Sequence, residues 1–514
     1  MDVSIQQLYQ AYQLCHKGKA KTSKAQLYSA KLLDNLYDMQ GALQSQSYQA
    51  KPASCFVATN GAKPREIHAA DFADRVMHHF LVPKLEAIIS HKFIYTSCAN
   101  QKGKGTHFGV FALQKMMRQV PADSYYLQLD IHNFFYSSDK AILLSILARH
   151  IKQAVKKQQI SLKAGRDYYR LCRKILKRGK QANTLTPEQL QLIPAHKQLR
   201  HVAEGKGLPI GNLSSQFFGN VMMNELDHYI KHTLKAKHYV RFVDDFILLG
   251  DKPQLRVWQQ DIEHYLKANL ALRLKDDIKL MSIQSGADFL GYIIYPHYLL
   301  VRKRVLANFY QKLQQWQQQF IHNGKITLSK QAAEQLQSCV ASYLGHLKHA
   351  KSYKAIQKLG LSFPWLNTLF FWEGKPNKSQ YKMKRQAQEA TYLNEQWLYF
   401  KRHFVGYIIV LQKGSCWLLE AQYGQYLPVQ VQQYCVQKQS SSVAPKNTQL
   451  EIPLYFLKNS LNCLQRQQLA YILVTEQGVV HKRLKQRMLR IVYAPLKTAS
   501  RANKANSGYQ FKAG

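Results

Sequence analysis

The sequence predicts an α+β protein built from more than one domain. Its 514 residues exceed what one core usually holds, and 46% of them are hydrophobic. Residues 1–50 carry Leu and Tyr at the spacing of amphipathic helices. Segments such as YVRFVDDFILLG and LAYILVTE are instead short, apolar and rich in residues that favour strands. Helices and strands are therefore expected along the same chain.

The charge of the chain indicates a polyanionic partner. Lys and Arg number 72 against 30 Asp and Glu, which gives a net charge of +42. An excess of this size repels itself in a compact fold unless something neutralises it, so nucleic acid is the predicted partner, with a general solvation charge as the alternative.

The apolar runs fall well short of the ~20 residues that span a membrane, and the start lacks the form of a signal peptide. We expect a cytoplasmic protein with no membrane contact and with reduced cysteines.

Changes in composition divide the chain. Residues 151–180 contain eleven Lys or Arg and one acid, and belong to a basic insertion, 151–206, that is either a nucleic-acid surface or a solvated helix. Residues 306–350 predict a small helical domain. Residues 373–390 contain Gly, Pro and many charged residues, a composition that is typical of a linker. The residues beyond it alternate strand-like and helix-like runs, as in a small α/β module, and residues 497–514 form a basic tail that we expect to be disordered.

Three aspartates are the candidate catalytic residues. Asp244 and Asp245 lie between apolar and β-branched residues, which predicts a hairpin of two buried strands with the acids at its turn. Burying two adjacent carboxylates is costly without cations, whereas the Asp-Asp pair in RLKDDIKL lies among Lys and Arg, where solvation explains it. Asp130 ends the strand-like SYYLQLD; by itself it is consistent with a helix N-cap, but together with the hairpin it predicts a shared site.

Such a group of carboxylates suits nucleotidyl transfer. Two divalent ions about 4 Å apart stabilise the charge that develops at an in-line phosphorus, and each ion needs hard oxygen ligands. Asp130, Asp244 and Asp245 are the predicted metal ligands, and Ile131 is a further candidate through its backbone carbonyl. The predicted cofactor is Mg²⁺ as two ions, with Mn²⁺ as an alternative.

Seven ordered segments resemble the fingers and palm of reverse transcriptases, specifically those of diversity-generating retroelements. They are REIHAADFADRVMHHFL, HKFIYTSCANQKGKGTHFG, LQLDIHNFF, GLPIGNLSSQFFGNVMMNELDHYI, RFVDDF, ADFLGYIIYP and SYLGHLKHAKSY. The resemblance covers about residues 5–350. It implies a right-hand polymerase with an N-terminal region and fingers (1–125), a palm (126–305) and a helical thumb (306–372).

The same resemblance implies an RNA-directed DNA polymerase that makes error-prone cDNA from a template-repeat RNA. Its implied partners are template RNA, cDNA and the RNA–DNA heteroduplex, with a small basic accessory protein as an additional candidate. An antiphage-defence reverse transcriptase is the alternative within the same chemistry. A non-catalytic nucleic-acid scaffold is the alternative of another class, against which the three intact aspartates argue.

The resemblance also implies a nucleotide-binding set. Arg65 matches the fingers arginine that meets the incoming triphosphate, and Phe135 matches the steric gate that excludes the ribose 2′-hydroxyl. Ile210, Gly211 and Gln216 lie in the pocket motif LPIGNLSSQ. Ile210 stands where faithful reverse transcriptases carry Gln, which implies miscopying of template adenine. A surface ion pair for Arg65 and a core position for Phe135 are the alternatives.

The resemblance also implies roles for residues outside these motifs. Arg75 is a candidate template contact, and either Lys275 or Lys279 is the candidate general acid. The chain departs from the usual pattern at Phe242, where Tyr is commoner, and at Gln101, where this branch often has Arg.

Residues 391–496 resemble the N-terminal mismatch-recognition domain of the repair ATPase MutS. The fold class is thus a right-hand polymerase followed by a small α/β module like MutS domain I. The positions that match the Phe-x-Glu wedge of MutS are Cys416 and Leu418, so mismatch recognition by that wedge is not expected. Trp417 is the candidate stacking residue, with a place in the core as the alternative. The module is expected to hold duplex.

Overall fold

The structure, a computed structural model, describes residues 1–59, 64–177, 185–370, 383–384, 390–440, 449–481 and 484–495. Contacts divide the chain into two compact units, Met1–His297 and Tyr298–Gly514. The α-helices are α1 Ile5–His16, α2 Ser23–Ala30, α3 Leu32–Gln44, α4 Phe72–Ile89, α5 Thr106–Met117, α6 Phe134–Ser137, α7 Lys140–Lys156, α8 Leu162–Leu176, α9 Pro187–Gln191, α10 Leu213–His228, α11 Lys252–Tyr265, α12 Lys303–Phe320, α13 Lys330–Leu347, α14 Tyr353–Ser362, α15 Pro364–Leu369, α16 Leu393–His403, α17 Val429–Ser440 and α18 Leu457–Arg466.

The strands are shorter than most of these helices. They are β1 Ser54–Ala58, β2 Arg65–Ala69, β3 Tyr125–Asp130, β4 Tyr239–Phe242, β5 Asp245–Gly250, β6 Lys279–Ser282, β7 Ala287–Phe289, β8 Tyr292–Ile294, β9 Leu299–Val301, β10 Ile321–His322, β11 Lys325–Thr327, β12 Ile408–Lys413, β13 Cys416–Glu420, β14 Gln449–Pro453, β15 Tyr471–His481 and β16 Leu484–Tyr493. Among the described residues, no helix combines the length and apolar character needed to cross a bilayer.

The first unit begins with three helices, as the spacing of Leu and Tyr predicts. Ser4 and Gln7 form a capping box that fixes the start of α1. The buried faces of α1 and α3 join the same hydrophobic core as α4. The N-terminal helices are therefore part of the core of the first unit and not a separate arm.

A four-stranded antiparallel sheet forms the centre of the first unit, in the order β4-β5-β3-β6. The middle strands β3 and β5 are buried at four successive positions each, so both faces of the sheet are covered. Helix α10 is buried along most of its length in the same core. This rigid arrangement fixes where the strands end, and the candidate acids lie at those ends.

The basic insertion contains the end of α7, helix α8 and the short helix α9. Helix α8 packs on α7 and buries Leu171, Cys172 and Leu176. Its basic residues recur every three or four positions from Lys163 to Lys177, which places them on one face of the helix. The predicted basic helical face is confirmed.

The second unit contains a mixed seven-stranded sheet in the order β10-β11-β16-β15-β12-β13-β14. The short hairpin β10–β11 lies between the helices predicted as a thumb, and β11 pairs with β16 near the end of the described chain. Residues from α12 to α15 share one hydrophobic core with residues from α16 and this sheet. Most of the predicted linker, 373–390, lies outside the described residues, as does the tail 497–514.

The contacts place the unit boundary after His297 and not within 373–390. The physical reason is the pairing of β11 with β16 and the core that α12–α15 share with the strands beyond the predicted linker. The helices assigned to a thumb and the C-terminal module therefore form one compact unit.

Candidate active site

The two adjacent aspartates lie at a tight hairpin turn. Phe242 pairs with Asp245 in the β4–β5 ladder, which leaves Val243 and Asp244 as the two turn residues. Val243 has φ +60, a left-handed conformation that is unfavourable for a β-branched side chain. The hairpin predicted from YVRFVDDFILLG is confirmed.

Asp130 lies directly beside this turn. In the β3–β5 ladder Asp130 is the partner of Asp245, and the amide of Ile131 donates a hydrogen bond to the carbonyl of Asp244 at 3.2 Å. Asp130 and Asp244 are 114 residues apart in sequence, and strand register brings them, with Asp245, to one end of the sheet. Ile131 is itself buried, and its role as a backbone ligand stays a prediction.

The electrostatics of the site favour a cation. Burial, together with the charge of Asp130, raises the pKa of Asp244 to about 6, although the charges of Lys275 and Arg65 act in the opposite direction. The ammonium of Lys275 donates to Oδ2 of Asp130, while Oδ1 of Asp130 is buried and accepts no hydrogen bond. A buried carboxylate oxygen without a donor, next to a second carboxylate, is a suitable ligand for a hard cation.

The structure also shows which side chains compete for these oxygens. Nε2 of Gln128 donates to Oδ1 of Asp245 at 3.0 Å, and Lys275 contacts Asp130. Across the described part of the chain, no three His, Cys, Asp or Glu side chains are gathered closely enough to hold a metal as they stand. The carboxylate donors suit Mg²⁺ or Mn²⁺. To bind a metal, Lys275 would have to release the Asp130 oxygen it contacts, and Gln128 the Asp245 oxygen.

The predicted nucleotide loop is anchored on β2. The carbonyl of Ile210 accepts the amide of His68 at 2.9 Å. Asn212 accepts the amide of Ala70 at 3.1 Å and donates to the carbonyl of His68 at 3.0 Å. Gly211 has φ +112, where an L side chain would be strained.

Close packing gives a second reason for glycine at position 211. A Cβ there would come within 2.8 Å of Cγ2 of Ile67 on β2. Arg65 is exposed at the start of the same strand, and Gln216 is exposed in the first turn of α10. The structure brings Arg65 within electrostatic range of Asp244, and the nucleotide-binding roles of this set stay predictions.

Phe135 follows the Asp130 strand end on the short helix α6. Its ring is half-buried and meets Phe134 edge-to-face at 5.3 Å between centroids. Its carbonyl accepts the amide of Leu208 at 2.6 Å, which ties α6 to the segment before Ile210. The steric-gate role of Phe135 stays a prediction.

The remaining predicted residues are placed unequally. Lys275 contacts Asp130, whereas Lys279 lies in β6 opposite Gln128, so of the two lysines Lys275 is the one at the acids. Nε of Arg75 donates to the carbonyl of Ala70 at 2.9 Å, so this side chain is at least partly engaged within the fold.

The structure corrects the tentative role of Trp417. This ring is only 3% exposed and lies in a hydrophobic core with residues of β12, β14 and β15. Leu418 on the other face of β13 is also buried, at 4% exposed. Strand alternation puts both side chains into cores, so neither can insert into a duplex from this position.

Sequence reasoning missed two residues that shape the site. Gln128 is a polar residue within an otherwise apolar strand, and its side chain reaches Asp245. Asn212 closes the motif GLPIGN, and both ends of its amide hold β2. A polar side chain at a buried strand position is the sequence signal for Gln128, whereas nothing in the sequence locates the partner strand of Asn212.

Residues 57–294 match the family model of reverse transcriptase (RNA-dependent DNA polymerase). No curated protein matches the chain. Enzymes of the matched family generally use divalent metal ions, typically Mg²⁺.

Solved structures with detectable similarity include two telomerases. One is telomerase from Candida albicans in complex with a TWJ fragment of telomeric RNA, with 10% identity, a TM-score of 0.36, and coverage of 66% of this chain and 61% of that chain. The other is apo telomerase from Candida tropicalis, with 11% identity, a TM-score of 0.35, and coverage of 62% and 59%. The chain thus spans about six tenths of the length of these two proteins.

Proposed function

Because residues 57–294 form a reverse transcriptase domain, an RNA-directed DNA polymerase of the nucleotidyltransferase class, we propose that the whole chain makes cDNA from a template RNA. The observation that carries this proposal is the meeting of Asp130 with the Asp244–Asp245 turn at one end of the central sheet. The partners are template RNA, cDNA and their heteroduplex, and the net charge of +42 suits all three.

The chemistry needs two divalent ions, which stabilise the charge of the transferring phosphoryl group. Asp130, Asp244 and Asp245 would hold them. Lys275 is proposed as the general acid because its ammonium lies at the acids, and metal binding would free it from the Asp130 carboxylate. Arg65, exposed and acting on Asp244 through its charge, would contact the incoming triphosphate.

We further propose that copying is error-prone at template adenine, as in a diversity-generating retroelement. The support is Ile210, a half-buried apolar side chain in the anchored nucleotide loop. An apolar side chain offers no hydrogen bond with which to test a base pair, so a mispair is discriminated less strongly. This proposal concerns fidelity and is separable from catalysis.

Replacing Ile210 with Gln should lower the error rate opposite template adenine several-fold, while overall extension changes little. The loop should keep its shape because its bond to His68 uses the backbone carbonyl of residue 210, which Gln also provides. The measurement is deep sequencing of cDNA made from a defined RNA that contains all four bases equally. Ile210→Leu is the matched control and should keep the adenine errors. Wild-type errors spread evenly over the four template bases would contradict the proposal.

The basic face of helix α8 suits the RNA partner. Lys163, Arg166, Arg173 and Lys177 are exposed along one face of α8. The acid in this segment, Asp167, is buried and pairs with Arg170 at 3.3 Å, so it does not neutralise that face. We propose this face as a phosphate-contacting surface for template RNA.

Reversing three of these charges should weaken RNA binding and make it less sensitive to salt. For Lys163→Glu, Arg166→Glu and Arg173→Glu together, the slope of log K against log salt should fall by about three, roughly one for each lost contact. Fluorescence anisotropy with a labelled template RNA between low and moderate salt measures this slope. The control is the triple reversal of Lys237, Arg256 and Lys267, which are exposed elsewhere in the first unit. Equal slopes for the two triple variants would exclude the α8 face as an RNA surface.

The C-terminal residues 391–496 are proposed to hold duplex in the manner of the MutS module they resemble, without a wedge. The support is a mixed sheet with helices α16, α17 and α18. The stacking candidate Trp417 and its neighbour Leu418 are buried, so contact with duplex would use the outer surface of the module.

A further inference from the structure

Arg241 is a buried arginine two residues before the catalytic turn. Its side chain is 0% exposed. Nε and Nη2 donate to the two carboxylate oxygens of Asp227 at 2.7 and 2.6 Å. Nη2 also donates to Oγ of Ser97 at 3.0 Å, and Nη1 donates to Oδ1 of Asn220 at 3.3 Å and to the carbonyl of Val243 at 2.8 Å. All three guanidinium nitrogens are therefore used.

The partners of Arg241 come from three separate parts of the first unit. Asp227 and Asn220 lie on α10, two turns apart, Ser97 precedes α5, and Val243 lies in the hairpin turn. The backbone of Arg241 is also paired, because its amide donates to the carbonyl of Thr96 at 3.0 Å. The side chain and backbone of one residue thus connect α10 and the 96–98 segment to the hairpin.

Asp227 is as buried as Arg241 and accepts a third hydrogen bond, from the hydroxyl of Tyr239 at 2.8 Å. A buried ion pair is weak evidence for stability, because desolvation of both charges offsets much of their attraction. Such a pair does supply a fixed geometry, because the donors of a planar guanidinium point in set directions and hold every acceptor they contact in place. The acceptor closest to the chemistry is the carbonyl of Val243.

Val243 needs such support. Its φ of +60 is unfavourable for a β-branched residue, so the turn keeps this conformation only if its surroundings hold it. On one side the guanidinium of Arg241 binds the Val243 carbonyl, and on the other the amide of Ile131 binds the Asp244 carbonyl. Release of the first contact would let the turn relax and move both carboxylates.

We propose that Arg241 is a positioning residue that holds the Val243–Asp244 turn, and through it sets the affinity of the Asp130, Asp244 and Asp245 carboxylates for divalent cations. The inference rests on the proposed function, because it assigns those carboxylates as metal ligands. It adds that a guanidinium, and not simply a positive charge, is required at position 241. Asp227, Asn220 and Ser97 act by orienting that guanidinium.

The test is the affinity for Mn²⁺ alone, measured by electron paramagnetic resonance titration of the full chain, compared with primer extension at varied Mg²⁺. Arg241→Lys keeps the charge beside Asp227 but cannot contact Asp227, Asn220 and Val243 together. We expect its dissociation constant for Mn²⁺ to rise at least tenfold, as is typical when support of a metal ligand is lost. The Mg²⁺ needed for half-maximal extension should rise in parallel. Affinity equal to that of the wild type in a folded Arg241→Lys protein would overturn the inference.

Two further variants keep the test decisive. Arg487→Lys is the matched control, since Arg487 is also buried and contacts Glu476 at 2.5 Å, but in the second unit. It should lower the melting temperature without changing Mn²⁺ affinity. Ser97→Ala removes only one guanidinium acceptor, so it should remain folded if Arg241→Lys does not. It should weaken Mn²⁺ binding by about twofold or more, and unchanged affinity would count against the proposal.

The design also separates this inference from the proposed function. Asp244→Asn should remove Mn²⁺ binding if the aspartates are metal ligands at all. If wild type and Asp244→Asn bind Mn²⁺ equally, the metal assignment fails and the positioning role fails with it. If only Arg241→Lys and Ser97→Ala match the wild type, the positioning role fails and the metal assignment stands.

Discussion

Asp244→Asn and Asp245→Asn each reduce primer extension on an RNA template by at least about a thousandfold, to the background of the assay. Each change removes one of the carboxylates proposed to hold the metal ions, at a site where Asp130 provides the third carboxylate and a backbone ladder fixes their relation. Template RNA binding should remain within about twofold of wild type, because it depends on basic surfaces. Single-turnover extension and anisotropy with the same RNA measure the two properties.

The loss of activity at position 244 should not come from unfolding. Burial, together with the charge of Asp130, raises the pKa of Asp244 from its ordinary 3.8 to about 6, so its ionisation disfavours the folded state as the pH rises from about 4 to 6. Above pH 6 this penalty amounts to roughly 2–3 kcal/mol before screening. Asn carries no charge, so with EDTA at pH 8 Asp244→Asn should melt at or above the wild-type temperature, and the difference should shrink at pH 5.

The neighbouring acidic pair provides the control. Asp276 and Asp277 are also adjacent, but both are exposed. Asp276→Asn and Asp277→Asn should therefore retain extension and show no gain in melting temperature. Activity that survives both Asp244→Asn and Asp245→Asn would refute the catalytic assignment.

A truncation after residue 390 should unfold the rest of the second unit and not simply remove a module. Ten buried side chains of the shared core would be lost: Trp397, Phe400, Phe404, Ile409, Leu411, Leu418, Ile472, Val474, Leu489 and Val492. At even about 1.5 kcal/mol each, their burial is comparable to the entire stability of a typical domain. Strand β11 would also lose its partner β16.

Limited proteolysis followed by mass spectrometry measures this effect. In the full chain, sites within α12 to α15 should be protected, and in the truncated chain they should be cut rapidly. Removal of residues 497–514, which lie outside the described core, is the matched control and should leave protection unchanged. Protection of α12–α15 in the 1–390 protein would show that these helices fold alone.

This expectation changes how the C-terminal module can be studied. Reduced cDNA yield after deletion of residues 391–514 would report loss of the fold as well as loss of duplex contact. Surface substitutions on α16 to α18 are the better approach, because they leave the shared core intact.

Much of the candidate site could be predicted from local pattern. The apolar flanks of Asp244 and Asp245 indicated a buried hairpin, and the structure has β4 and β5 with a two-residue turn. Asp130 at the end of an apolar strand indicated a carboxylate at a strand end. These inferences succeed because side-chain burial along a strand depends on residues within a few positions of one another.

Other features also carry a local signal in the sequence. Asn323 and Gly324, with φ of +48 and +74, form the turn between β10 and β11, and Asn-Gly is a strong hairpin signal. Arg241 is a charged residue inside the apolar strand YVRF, which indicates a buried partner without naming it. The Asn-Gly pair indicates a hairpin turn but not the further strand that pairs with it. The buried arginine indicates that an acidic or polar partner is needed but not which residue provides it.

The sequence by itself determined the reverse transcriptase motifs, the hairpin that carries Asp244 and Asp245, the basic face of α8 and the helical N-terminal region, because each depends on short-range spacing. Only the tertiary structure decided that Asp227 satisfies Arg241, that Lys275 and not Lys279 lies at the acids, and that Trp417 belongs to a core. It also decided that the thumb-like helices and the C-terminal strands share one unit. These outcomes depend on pairings between residues far apart in the chain, such as β11 with β16, and no local pattern specifies which distant partner is chosen.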